Sequence, residues 1–381
     1  MIAISRRLES TLRGSDIIGR LGGDEFVVLL QKIHSIDDAI YVAKRINKAL
    51  KEPFNLEEHQ LFTSASIGIA QGTSHYDNAD ELLRNADIAM YSAKAQGREG
   101  DYIIFDREMY EQVSEKLQME IELRQALELH EFQLYYQPLI CLTSGMLIGF
   151  EALVRWFSPK RGIVSPGVFI PIAEEMGLIV PLGHWILQEA TTQLLHWRRA
   201  YPFAAALKMS VNLSIPQLQS PGFLTCLDEI LQQQQWDGQG LQLEITESIF
   251  MEDLEGLLSL LQAIKQRGVE LALDDFGTGY SCLSYLHRFP LDHLKIDRAF
   301  VSCIGQGGEQ SEIAAMVINL AQQLGMTAIA EGIEHSHQRD HLQRLGATSA
   351  QGYWFAKPLN AEAAEQLLLH PLPWLEQVEV A

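Results

Sequence analysis

Apolar residues along the chain recur at two periods, and where the pattern changes the chain divides. Residues 1–106 alternate short β-rich and helix-like stretches. Asp16–Leu21 and Glu25–Leu30 flank Gly22-Gly23-Asp24 and predict a hairpin, with glycine supplying the backbone angles of the turn. Residues 37–50 read as a helix, and 61–70 as a strand pair or one long strand. Apolar positions 82, 83, 86, 89, 90 and 93 repeat at the helical period, so residues 80–95 predict an amphipathic helix that Gly97 stops. The charged stretch 107–130 carries Met109, Val113, Leu117, Ile121 and Leu127, and predicts a connecting helix with one docked face.

Beyond residue 130 the pattern becomes repetitive. Short apolar runs end in an acidic or polar residue, and each precedes an amphipathic segment of helical length. The runs are Gly149–Val154, Leu207–Leu213, Leu241–Thr246, Leu271–Asp275, His293–Asp297, Thr327–Glu331 and the segment around Ala350–Phe355. Alternating strand and helix implies mostly parallel strands, and a region of this length suggests a TIM-like (β/α)8 barrel of the α/β class. An open doubly wound sheet is the alternative, weakened because no glycine-rich phosphate loop follows a first strand. In a barrel the active site lies at the C-terminal strand ends, where the polar residues of these runs fall.

Composition narrows the field. The 381 residues carry a formal charge of −20, with 47% hydrophobic and 20% charged side chains, as in soluble two-domain proteins. There is no Lys/Arg run, so DNA binding is not expected. Cys141, Cys226, Cys282 and Cys303 are scattered, which suits a reducing cytoplasm better than a disulfide framework or a zinc site. The first residues do not read as a signal peptide, and no membrane segment is expected.

Seven polar positions then stand out: Glu151, Asn212, Glu244, Asp274, Asp275, Lys295 and Glu331. Singly, each reads as a solvated loop residue. Asp274-Asp275 is different, because adjacent carboxylates repel and are best tolerated beside a cation. Oxygen donors without thiolate or paired imidazole favour Mg²⁺ or Mn²⁺, and two such ions suit phosphodiester chemistry. Lys295 and Asp297 are two apart in a predicted strand and should share a face; Lys295 reads either as a catalytic cation or as an ion-pair partner. The histidines and tryptophans show no ligand spacing and read as packing or surface residues.

These residues lie in ordered motifs. Glu151-Ala152-Leu153-Val154-Arg155-Trp156 resembles the signature of EAL-domain cyclic di-GMP phosphodiesterases. The resemblance continues through Tyr136-Gln137-Pro138, 210–214 (SVNLS), 244–248 (EITES), 274–281 (DDFGTGYS), 294–297 (LKID), 330–334 (AEGIE) and Gln351-Gly352-Tyr353. It implies a barrel over 127–370 with one antiparallel strand, hydrolysing cyclic di-GMP to linear pGpG. It also implies that Glu151, Asn212, Glu244 and Asp274 hold one metal and Asp275 the second, with Glu331 in the metal shell. Lys295 would act on the water and Gln351 would help position it. Gln137, Leu153, Arg155 and Asp297 would meet substrate, Arg155 through a phosphate. Glu247 would brace the loop of Phe276, Gly277 and Ser281, which in that family links the active site to a homodimer contact.

The N-terminal part resembles the back half of a GGDEF (diguanylate cyclase) domain. Gly22-Gly23-Asp24-Glu25-Phe26 is the signature, followed by 66–70 (SIGIA), 91–94 (YSAK) and Gly97-Arg98. Arg13 and Asp16 match the product-binding RxxD pair, an inhibitory site in that family. The family's first strand, with its metal-binding Asp, and the next helix find no room ahead of Arg13. The expectation is a partial domain at 1–106 without cyclase activity and with a regulatory role, a linker helix at 107–126, and a chain cut from a longer protein. The rival readings are a non-catalytic cyclic di-GMP receptor and a bifunctional enzyme.

Overall fold

The computed structural model describes residues 1–56, 59–72, 78–95, 100–251, 254–277, 286–305, 309–370 and 374. The chain divides into two compact units, Met1–Met119 and Glu120–Ala381.

In the first unit, β1 (Ile17–Gly22) and β2 (Glu25–Leu29) form the antiparallel hairpin. Gly23 takes the positive φ its turn requires, and Arg20 reaches back to the Gly23 carbonyl. The following helix, Ile36–Leu50, is capped by the Ser35 side chain accepting from the Asp37 amide, and carries Asp37 and Asp38 in its first turn. It buries Val42, Ile46 and Leu50 against Leu8 and Phe54, with Ile18, Phe26 and Val28 packed alongside. Leu8 comes from a helix, Ile2–Ser10, that hydropathy does not signal: nine residues hold too few apolar repeats. Its Arg7 guanidinium lies 3.5 Å from the centre of the Phe54 ring.

The stretch 61–70 is neither a strand pair nor one strand. The hairpin of β3 (Phe54–Leu56) and β4 (His59–Leu61) ends there, and β5 (Ile67–Ile69) begins after a run with no strand pairing. β5 pairs in parallel with β6 (Tyr102–Ile104), which hydropathy did not mark. The helix between them, Ala79–Ala95, matches its predicted span; Gly97 and Arg98 lie outside the described residues. A long helix, Arg107–Glu128, contains the boundary between the units.

The second unit is a closed eight-stranded barrel. Its strands are β7 (Phe132–Cys141), β8 (Leu147–Ser158), β10 (Lys208–Asn212), β11 (Leu241–Thr246), β12 (Glu270–Phe276), β13 (His293–Ile296), β14 (Thr327–Ala330) and β15 (Ser349–Ala350). The short β9 (Gly162–Val164) extends β8 as a hairpin. β7 is antiparallel to both β8 and β15, the other barrel pairings are parallel, and β8 with β10 closes the ring. β7 falls outside the seven runs that hydropathy marks. Burial alternates only over Phe132–Tyr136; the residues from Tyr136 to Ile140 are all buried, so the alternation that identifies half-buried strands is too short to mark it.

Alternation in β8 separates two faces. Phe150, Ala152, Val154 and Trp156 point outward to the helices, where Trp197 lies 5.0 Å from the rings of both Tyr136 and Phe150. Glu151, Leu153 and Arg155 occupy the other face.

Candidate active site

The inward positions of neighbouring strands lie in register, and this assembles the site. Glu151 stands beside Ser210 and Gln137, Asn212 beside Glu244, and Glu244 beside Ala272. Glu151 is not at a strand end as predicted: it sits within the twelve-residue β8, because that strand continues past the barrel mouth as a hairpin arm.

At the centre is Lys295, 1% exposed. Its ammonium donates to Glu244 Oε2, and lies 2.5 Å from Glu331 Oε1, 3.2 Å from Asp274 Oδ2 and 3.9 Å from Glu151 Oε1. Asn212 Nδ2 donates to Glu151 Oε1 at 2.6 Å. Gln351 Nε2 donates to Glu151 Oε2 at 2.6 Å and to Glu331 Oε1 at 3.1 Å. Both readings of Lys295 therefore meet in one place, since an ion-paired lysine is also the cation of the cluster. Burial pulls its pKa down, but Glu151, Glu244, Glu331 and Asp274 outweigh this and hold it well above the ordinary lysine value. Burial raises Glu244 well above the usual carboxylate range, and pushes Glu331 to about 8, against the opposing pull of Lys295.

Asp275 has a positive φ of 55° where β12 slips register between Leu273 and Phe276. At this irregularity Asp274 is buried and Asp275 is exposed. Partial burial and the nearby Asp274 and Asp297 raise the Asp275 carboxyl to about 6. The run predicted to reach residue 297 is one residue shorter. β13 stops at Ile296, and Asp297 instead caps the helix Arg298–Ser302, accepting from the Ala299 amide at 2.7 Å.

Glu247 is buried, and its Oε2 accepts from the Gly277 amide at 3.3 Å. Gly277 has φ +94°, an angle glycine adopts without strain, and Phe276 is buried before it. Ser281 lies outside the described residues. Leu153 and Arg155 line the arm of β8; Arg155 lies 5.7 Å from the Tyr135 ring centre, and its Nη1 donates to the Val154 carbonyl at 2.9 Å. In the first unit the Arg13 amide donates to Asp16 Oδ2 at 3.0 Å, Gly22 ends β1, Asp24 lies in the turn, and Glu25 and Phe26 begin β2.

One polar group in the barrel carried no sequence signal. Gln242, 1% exposed, donates through Nε2 to Glu244 Oε1 at 3.1 Å. Nothing separates it in sequence from a solvent-facing glutamine; only the inward orientation of β11 does.

A second polar layer lies two to four residues nearer the strand starts. Glu270 accepts from Lys208 Nζ at 2.7 and 2.9 Å, and His293 Nε2 lies 2.8 Å from its Oε2. The His293 hydrogen bond, with Lys208 beside it, outweighs burial and lowers the Glu270 carboxyl to about 2. An unfolded glutamate titrates near ~4.3, so the ionised form stabilises the fold above that pH, and the contribution is lost as pH falls through about 2. Glu270→Gln is expected to melt below the wild type at pH 7, with the gap narrowing once pH drops under ~4. A gap that stays constant down to pH 3 would exclude this ion pair as its source.

As they lie, the upper carboxylates converge on the ammonium. Among the described residues no three His, Cys, Asp or Glu groups form a ready-made metal shell. The donor set is nonetheless one of hard oxygens: once all are ionised, four carboxylates against a single ammonium would leave three negative charges. Asp275, ionised as well, would make four, the charge of two divalent cations.

Comparison with known proteins matches the architecture. Residues 120–358 match the EAL domain family, and residues 1–100 match the family described as diguanylate cyclase, GGDEF domain. The bifunctional diguanylate cyclase/cyclic di-GMP phosphodiesterase MucR of Pseudomonas aeruginosa is 39% identical over 95% of this chain and 52% of its own length. The cyclic di-GMP phosphodiesterase PdeR of Escherichia coli is 39% identical over 95% of this chain and 54% of its own. The chain thus spans about half the length of these relatives. Among solved structures, the PaMucR phosphodiesterase in complex with c-di-GMP superposes with a TM-score of 0.62 at 38% identity, covering 65% of this chain and 99% of that one. The EAL enzyme Bd1971 bound to cAMP and cyclic di-GMP gives 0.65 at 32% identity, covering 77% of each chain.

Proposed function

We propose that this chain, which belongs to the EAL domain family, hydrolyses cyclic di-GMP to linear pGpG at the C-terminal mouth of its barrel. The observation that carries this reading is the convergence of four carboxylates from separate strands on one buried lysine.

Glu151, Asn212, Glu244, Asp274 and Glu331 would hold one divalent ion, and Asp275 would serve a second; Mg²⁺ and Mn²⁺ suit these oxygens. Bound ions of this kind supply Lewis-acid polarisation of the phosphodiester and a water acidified towards neutral pH. The chain's own groups do the rest. Lys295 offsets negative charge developing on the phosphoryl oxygens and orients the attacking water. Gln351, fixed between Glu151 and Glu331, offers an amide to the same space. Arg155 presents a guanidinium fork to a phosphate beyond the carboxylates, where Leu153 and Gln137 line the approach, and Asp297 meets the ligand from the start of its helix. Water adds across one of the two diester bonds, so the ring opens to a linear dinucleotide.

The same reading places the chain in the bacterial cytoplasm and makes it a homodimer through the barrel, with Glu247, Phe276 and Gly277 coupling the site to that contact. Among the described residues no helix is long and apolar enough to cross a membrane. The N-terminal unit would act as a regulator, with Arg13 and Asp16 as its ligand contact.

Incubation of the protein with cyclic di-GMP and Mg²⁺ or Mn²⁺ tests the activity. The expected product is pGpG, lost with EDTA and in Asp274→Asn. Tight binding without metal-dependent product would replace this reading by that of a receptor.

A further inference from the structure

We infer that Gln242 is a positioning residue that sets the Glu244 carboxylate for divalent-metal binding. The inference rests on the metal-dependent reading of the site given above.

Glu244 is 2% exposed, so both of its oxygens must find donors within the protein. Lys295 supplies one to Oε2, and Gln242 supplies the other to Oε1. The two donors differ in kind. The ammonium carries a charge that competes with a metal ion for the same carboxylates. The amide carries none, so it can support the ionised carboxylate in the presence or absence of an ion.

The position leaves few substitutes. Gln242 and Glu244 lie two apart on β11 and share the inward face. Of its two neighbours across the strands, Ala272 on β12 offers no hydrogen bond, and Asn212 on β10 donates its amide to Glu151 Oε1 instead. Support for Oε1 therefore comes from the layer beneath, where Gln242 stands between Ser210 and Glu270. Barrel interiors at such positions are mostly filled by branched apolar side chains, and a buried amide there is costly unless paired. Its paired neighbour is a carboxylate of the proposed metal site. Groups that hydrogen-bond a metal ligand orient it and tune its basicity, and their loss costs about 10–100-fold in metal affinity.

Mn²⁺ titration followed by electron paramagnetic resonance, on wild type, Gln242→Leu, Gln242→Glu and Glu244→Gln, tests this. Thermal melting of each variant reports its folding. Gln242→Leu removes the donor, and Gln242→Glu keeps the shape while reversing its sense, so the second carries the test if the first does not fold. Both are expected to bind Mn²⁺ about 10–100-fold more weakly. Turnover should fall at limiting Mn²⁺ and recover at high Mn²⁺, with KM for cyclic di-GMP unchanged. A merely structural role would lower stability without this metal-dependent recovery. Wild-type Mn²⁺ affinity in folded Gln242 variants, with affinity lost in Glu244→Gln, overturns the inference and leaves the proposed function standing. Wild-type affinity in Glu244→Gln as well would overturn both the inference and the assignment of Glu244 as a ligand.

Discussion

Lys295→Met is expected to lower cyclic di-GMP turnover by about 10²–10³-fold, the usual cost of removing one group that stabilises charge developing in the transition state. It is also expected to destabilise the metal-free protein by about 3–5 kcal/mol, the usual cost of leaving buried charge without its partner. Methionine keeps much of the length and apolar stem, so packing changes little. What disappears is the cation within 4 Å of Glu151, Glu244, Asp274 and Glu331. The two effects can be separated by melting wild type and variant in EDTA and in excess Mn²⁺. Added cations should take over the neutralising role, so the stability gap is expected to narrow with Mn²⁺ while turnover stays low. Equal stability of the two proteins in EDTA would show that the ammonium does not hold the carboxylates together.

Glu151→Ala is expected to reduce turnover by more than about 100-fold, the upper end of what losing a mere supporting group costs, because the proposed function makes Glu151 a direct metal ligand. The fold should survive for an electrostatic reason. The substitution forfeits two short hydrogen bonds, from Asn212 and from Gln351, each at 2.6 Å. Charge-assisted bonds of this kind contribute about 1.5–3 kcal/mol each. Against that, it removes one of four like charges crowded around a single ammonium. Leu153 and Arg155, farther along β8, are untouched, so cyclic di-GMP binding should persist. Turnover, nucleotide binding and melting temperature on the same preparation check all three statements. Turnover near the wild-type level would remove Glu151 from the proposed site.

The hairpin at Gly22–Phe26, the long helices and seven of the eight barrel strands were legible in the sequence because each is marked locally, by alternation, by helical period or by glycine at a turn. The carboxylates were legible for a similar reason, since each closes or interrupts an apolar run. Their roles came from the order of the motifs in a resemblance, not from periodicity. Locally buried elements were harder. β7 alternates only over its first half and is continuously buried over Tyr136–Ile140, and the helix Ile2–Ser10 is too short to display a repeat. Strand ends also misled: Glu151 lies inside β8, and the run predicted to residue 297 ends at Ile296, where Asp297 becomes a helix cap. The tertiary structure alone decided that β7 runs antiparallel between β15 and β8, and that β8 meets β10 to close the ring. Period two says which face of a strand a residue occupies, but not which strand lies beside it. That depends on non-local pairing and on the stagger of a closed sheet. Closure is what carries Glu151, Glu244, Asp274 and Glu331 to one ammonium, and what turns Gln242 from one polar residue among many into the hydrogen-bond donor beneath Glu244.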